Sequence, residues 1–98
     1  MMIEERAKKI KLLILDVDGV LTDGRIIYNN FGGEIKCFNV HDGFGMELLF
    51  RAGIKSAIIT AKKTNIVKRR AKDMHVAKVY SDYRKIKIYE KAIKKFKV

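Results

Sequence analysis

The stretch that most constrains this chain is residues 12–24, LLILDVDGVLTDG. Leu12 to Leu15 form an unbroken apolar run, and Ile10 lies one residue further back across Lys11. Such a run, from Ile10 to Leu15, predicts a strand covered on both faces, as in a parallel sheet packed between helices. It stops at two carboxylates, Asp16 and Asp18, and Gly19 then lets the backbone turn away sharply. In open parallel sheets ligands bind beyond the carboxyl ends of the strands, so this arrangement points to an α/β fold with a site at Asp16.

The rest of the chain agrees with that architecture. Residues 25–28 and 34–40 flank the turn-forming cluster Asn29-Asn30-Phe31-Gly32-Gly33 and predict a β-hairpin. A helix follows Asp42 through Ala52, with Phe44, Leu48, Leu49 and Ala52 inward and Gly53 as its stop. A second buried strand runs from Ile54 to Thr60, and a basic helix from Asn65 to Met74 turns Ile66, Val67, Ala71 and Met74 inward. A short strand, Val76–Tyr80, precedes a last helix, Arg84–Phe96, with Ile86, Tyr89, Ile93 and Phe96 on one face. Strands alternating with helices predict a doubly wound, Rossmann-like parallel sheet with helices on both faces and a hairpin insertion after the first strand.

Composition narrows the class. At 98 residues, 48% hydrophobic and a mean hydropathy of −0.13, the chain is long enough for one small core and too apolar to be disordered. One cysteine, Cys37, excludes an internal disulfide and suits a reducing compartment. The apolar run at residues 12–15 is too short for a membrane span or a signal peptide, so the expectation is a cytoplasmic domain over residues 1–98. Charge is uneven: residues 1–60 hold 8 basic and 8 acidic side chains, residues 61–98 hold 14 and 3, and the difference is the whole net +11. Such a segment suits solvated helix faces or an anionic partner. No nucleic-acid-binding motif accompanies it, and Tyr83, Tyr89 and Phe96 fall at helical core spacing.

Two carboxylates one residue apart repel unless a cation lies between them. Oxygen donors on a loop suit Mg²⁺, which keeps waters and takes its other ligands from a bound phosphate. One aspartate could then attack phosphorus while the other moves protons. An EF-hand also begins Asp-x-Asp, but its sixth position requires glycine and here is Leu21. A role for Asp18 and Asp23 as turn residues leaves Asp16 unexplained.

DVDGVLTDG resembles the first motif of the haloacid dehalogenase superfamily. The longer run from LLILDVDG to SAIIT, continued by IVKRRAKDMHVAKVY and KIKIYE, resembles its capless 3-deoxy-D-manno-octulosonate 8-phosphate phosphatases. The resemblance implies a Mg²⁺-dependent sugar-phosphate phosphatase of lipopolysaccharide biosynthesis, acting on a phosphorylated sugar acid through an aspartyl-phosphate. Asp16 would be nucleophile and metal ligand. Asp18 would be general acid/base, contact substrate, and bind metal through its carbonyl. Thr60 matches the second motif, whose hydroxyl hydrogen-bonds the transferring phosphoryl group. Lys85, with Lys87 as the alternative, matches the third-motif lysine. Asn39, Val40, His41, Asp42 and Gly43 match a substrate-contacting segment, and Lys62, Arg70 and Lys85 would meet substrate charge. The hairpin at residues 25–40 corresponds to one that builds family homotetramers; no membrane is implied.

Three departures stand out. Family members usually carry Gly-Arg after the second-motif Thr, where this chain has Ala61-Lys62, and His41 stands where arginine is usual. The family also continues into a strand ending in Gly-Asp-Asp, and residues 38–98 contain no such motif. The expectation is therefore a C-terminally truncated domain with an open strand edge beside Asp16 and an incomplete metal site. Asp42 and Asp82 are the nearest candidate carboxylates. A non-catalytic oligomerisation or regulatory domain, like those appended to acylneuraminate cytidylyltransferases, is an alternative. A basic nucleic-acid-binding module is another.

Overall fold

The computed structural model describes residues 2–98. A short lead-in helix α1 (Ile3–Ala7) precedes β1 (Leu12–Leu15) and the hairpin strands β2 (Ile27–Tyr28) and β3 (Glu34–Ile35). Then follow α2 (Val40–Arg51), β4 (Lys55–Thr60), α3 (Asn65–Asp73), β5 (Lys78–Ser81) and α4 (Lys85–Phe96). The three longer strands form a parallel sheet in the order β1-β4-β5, with Leu15 opposite Ile58 and Thr60 opposite Ser81. The fold is α/β, with the hairpin inserted after the first strand.

β4 lies in the middle and is buried from Ser56 to Thr60, because it has a strand on each side and helices on each face. On one face Leu13, Leu15, Ile58 and Val79 pack against Met46 and Leu49 of α2 and Val67 and Ala71 of α3. On the other, Ile14, Ala57, Ile59 and Tyr80 pack against Ile88, Ala92 and Phe96 of α4. Each fully buried aliphatic side chain of this kind contributes about 1.5–3 kcal/mol of transfer free energy. Pairing stacks the carboxyl ends of the strands on one side, which places Asp16, Thr60 and the loop after Ser81 near one another.

Several sequence expectations need correction. The first strand is half-buried rather than fully covered, and shorter, since only β4 pairs with it and its other edge is open. α2 begins at Val40, because the Asn39 side chain accepts the His41 N–H (2.8 Å) and caps the helix before Asp42. Met46 and Leu49 then face the core, while Phe44 and Leu48 are exposed. In α4 the packing stripe is Ile88, Ala92 and Phe96. Ile86 and Tyr89 line a groove with Ile14 and Ile59 beside the open β1 edge and stay exposed, as does Tyr83. The hairpin pairs only over Ile27–Tyr28 and Glu34–Ile35; the Asn29 side chain closes its turn by accepting the N–H groups of Phe31 and Gly33. Among the described residues, no helix is long and apolar enough to cross a membrane.

Candidate active site

The loop after β1 is built around Val17, whose side chain is fully buried and whose carbonyl accepts the N–H groups of Val20, Leu21 and Thr22 at 3.2, 2.9 and 3.1 Å. Gly19 sits at φ 82°, a left-handed conformation that costs other residues energy, so the chain reverses there. The Thr22 hydroxyl oxygen accepts the Gly19 and Gly24 N–H groups and closes the loop. Sequestering Val17 this way leaves its neighbours, Asp16 and Asp18, at the sheet's end. Asp23 is spent locally: the Arg25 backbone N–H and its guanidinium, 2.6 Å away, hold the Asp23 carboxyl below its ordinary range.

Asp16 and Asp18 meet different cations. Asp16 Oδ1 accepts the Val17 N–H at 2.8 Å, and its Oδ2 lies 3.3 Å from Lys85 Nζ, which arrives from the first turn of α4. Asp16 and Lys85 share a groove of about 320 Å³ with Ile14, Leu15, Ile59, Ile86 and Tyr89. Asp18 Oδ1 instead accepts from Lys36 Nζ at 2.7 Å, and Lys36 also reaches Glu34 Oε1 at 2.8 Å. Burial pushes the Lys36 ammonium down, but hydrogen bonds to Asp18 and Glu34 outweigh it and raise its pKa above the usual lysine value. Sequence reading passed over Lys36. The available signal was the Glu-Ile-Lys alternation, which puts Glu34 and Lys36 on one side of an extended segment.

Thr60 ends β4 and is 4% exposed; its hydroxyl donates to the Lys62 carbonyl at 3.3 Å. The Ser81 hydroxyl ties the same loop down, accepting the Lys63 N–H and donating to the Ala61 carbonyl. Asp82 is taken up by its neighbour: the Arg84 side chain and N–H hold its carboxyl down at about 2. On the other side of the loop, Asn39 and Asp42 line a cleft of about 350 Å³ with Val20, Leu21, Thr22 and Phe38. Arg70 of α3 clamps this segment, donating to the Asn39 carbonyl at 3.0 Å with its guanidinium carbon 5.4 Å from the Phe38 ring centre. Gly43 makes room for it, since a Cβ there would stand 2.9 Å from Arg70 Nη2. The side chains of His41 and Lys62 form no hydrogen bond or ion pair among the described residues.

No protein-family model matches the chain. Individual proteins do. The 3-deoxy-D-manno-octulosonate 8-phosphate phosphatase KdsC of Salmonella typhi is 45% identical over 75 residues, 76% of this chain. The crystal structure of the same-named phosphatase from Moraxella catarrhalis, in complex with magnesium ion, phosphate ion and a KDO molecule, superposes at a TM-score of 0.90 with 41% identity over 96% of this chain. A Legionella pneumophila chain assigned to HAD superfamily subfamily III A superposes at 0.89 with 42% identity over 96% of this chain. The chain resembles the 3-deoxy-D-manno-octulosonate 8-phosphate phosphatases. It does so over part of the family's length: the match spans 40% of the Salmonella relative and 55% of the Moraxella chain.

The family's metal can be tested against this site. Among the described residues no group of three or more His, Cys, Asp or Glu side chains gathers to hold an ion. Asp42 lines the separate cleft and Asp82 is engaged by Arg84, so neither joins the pair Asp16–Asp18. One carboxylate and neighbouring backbone oxygen still fit a hydrated Mg²⁺, which takes one or two carboxylates and completes its shell with water and substrate phosphate.

Proposed function

We propose that this chain carries the catalytic half of a sugar-phosphate phosphatase that works through an aspartyl-phosphate on Asp16, with 3-deoxy-D-manno-octulosonate 8-phosphate as its substrate. The observation that carries this reading is the Asp16–Lys85 pair at the carboxyl ends of the strands, with the Thr60 hydroxyl at the end of the neighbouring strand. Asp16 directly follows β1 and has the Lys85 ammonium, from the first turn of α4, 3.3 Å from Oδ2.

In this mechanism an Asp16 oxygen attacks phosphorus and the bond to the sugar oxygen breaks. Asp18 gives its proton to that oxygen, then takes one from a water that attacks the same phosphorus. Inorganic phosphate leaves and Asp16 is regenerated. Lys85 offsets negative charge on the phosphoryl oxygens and on Asp16, as phosphoryl transfer requires. The Thr60 hydroxyl turns from the Lys62 carbonyl to the phosphoryl group. Asp16 and the Asp18 carbonyl would hold Mg²⁺, which neutralises phosphate charge when bound. Asn39 to Gly43, with Lys62 and Arg70, would receive the sugar acid. Phosphate release from the sugar phosphate, lost in Asp16→Asn and accompanied by a beryllium fluoride adduct on Asp16 in the wild type, tests the reading. Turnover retained in Asp16→Asn rejects it.

The hairpin supports assembly as a homotetramer, because Ile26, Tyr28 and Phe31 expose large apolar surface at its tip and sides. The basic stretch of residues 61–98 is then a solvated face that attracts an anionic substrate.

A further inference from the structure

The hairpin delivers a buried ammonium to the candidate site. Lys36 stands just beyond β3, in a segment whose neighbours Ile35 and Cys37 are exposed, yet its own side chain is only 8% exposed. Lysine is almost never so covered unless it is paired. Here the pairing is double: Nζ lies 2.7 Å from Asp18 Oδ1 and 2.8 Å from Glu34 Oε1. The contrast with Arg25–Asp23 is informative, since that pair joins near neighbours and both side chains are about half exposed or more. The Lys36–Asp18 contact instead bridges 18 positions in sequence, from the hairpin to the catalytic loop.

We propose that Lys36 is a positioning residue for Asp18, which ties the hairpin to the catalytic loop. This rests on the reading of Asp18 as the proton-transferring group. A proton donor must be presented within hydrogen-bond reach of the leaving oxygen, and small misplacements are costly in rate. Asp18 is largely exposed, at 61% of its side chain, so nothing in the loop's own packing selects its rotamer. Lys36 does so by occupying Oδ1, while Oδ2 has no hydrogen-bond partner among the described residues and is left for the substrate. Glu34 holds the same ammonium at 2.8 Å, a second tether that keeps the lysine with the hairpin if the Asp18 carboxylate swings away. Because the lysine belongs to the hairpin, movement of the hairpin displaces the acid/base group with it.

Steady-state kinetics and amide NMR on the whole chain test this together. Lys36→Met should lower kcat at least tenfold with KM changed less than threefold, and Lys36→Arg should recover much of the loss. Lys36→Met added to Asp18→Asn should cost little more than Asp18→Asn alone, as expected for residues acting through one another. Without any reference to turnover, Lys36→Met should shift the amide resonances of Asp18, Gly19 and Val20, and Asp18→Ala should shift those of Glu34 to Cys37. A raised KM at unchanged kcat would make Lys36 a substrate ligand and overturn the proposal. Absence of the reciprocal shifts overturns it as well. If Lys36→Met does not fold, Asp18→Ala, an exposed truncation, decides through the hairpin resonances. A wild-type chain with no phosphatase activity but with both sets of shifts would reject the proposed reaction and keep the hairpin-to-loop tie.

Discussion

Lys85 Nζ stands 3.3 Å from Asp16 Oδ2, joining the first turn of α4 to the end of β1. Both side chains are about half exposed, so the pair adds little to stability, and its value lies in where it puts positive charge. Lys87, two residues on, makes no such contact among the described residues.

The first prediction separates these two lysines. Lys85→Ala should reduce phosphate release by roughly 10²–10³-fold, the scale of losing one preorganised charge-stabilising group. Lys87→Ala should stay within about threefold of wild type, and neither change should move the thermal midpoint much. Equal losses in both variants would show that general basicity of α4, rather than the Asp16 contact, matters.

Gly43 and Arg70 give the second. A Cβ at Gly43 would meet Arg70 Nη2 at 2.9 Å and push the guanidinium off the Asn39 carbonyl. Losing that hydrogen bond costs about 0.5–1.5 kcal/mol. Replacing glycine by alanine within a helix returns about 0.5–1 kcal/mol. The two nearly cancel, so Gly43→Ala should melt within a few degrees of wild type while KM for the sugar phosphate rises. In an Arg70→Ala background, Gly43→Ala should stabilise, because nothing remains to collide with.

Much of this site was legible because its signals are local. An apolar strand that stops at Asp16-Val17-Asp18-Gly19 announces the parallel sheet and its carboxyl end, whereas the expectations for Thr60 and for Lys85, with Lys87 as alternative, rest on the family resemblance. Lys36 was not legible, since a lysine in a short hairpin is ordinarily a solvated one and only docking against the catalytic loop buries it. The α2 face also differs from the spacing-based expectation. The Asn39 cap starts the helix at Val40, and Met46 with Leu49, rather than Phe44 with Leu48, meets the sheet. Ile86 and Tyr89 obeyed helical periodicity but faced the open β1 edge, a property of strand order that spacing alone does not reveal.

The third prediction concerns acid stability. Hydrogen bonds from Arg84 hold Asp82 at about 2, below the 3.8 of the unfolded chain, and Glu47 is lowered by Arg51 and His75. A group whose folded pKa is depressed favours the folded state above its unfolded pKa, and that contribution is lost as pH falls toward the folded value. The thermal midpoint should therefore fall between about pH 4 and pH 2. Asp82→Asn should lower the midpoint at neutral pH and flatten this acid limb, and added salt should shrink both effects because the pair is exposed. Identical acid limbs in wild type and Asp82→Asn would remove Asp82 from the account.

The last prediction addresses assembly through the hairpin. Phe31, at 95% exposed, is the most solvent-accessible large apolar side chain among the described residues, and Ile26 and Tyr28 of the same hairpin are exposed as well. Apolar area of this kind on a short two-stranded projection is poorly explained by packing within one chain, because among the described residues Ile26, Tyr28 and Phe31 belong to neither core cluster. Light scattering across a wide concentration range should give a tetramer, and Phe31→Asp should shift it to smaller species without lowering helix content. The open β1 edge is a competing source of association, since unpaired strand edges template pairing with other chains. It is distinguishable: Ile86→Asp, placed in the groove beside that edge, should suppress edge-driven aggregation and leave a hairpin-built tetramer intact. A wild-type chain that stays monomeric at all concentrations, or a tetramer indifferent to Phe31→Asp but dissolved by Ile86→Asp, would move the interface from the hairpin to the sheet edge.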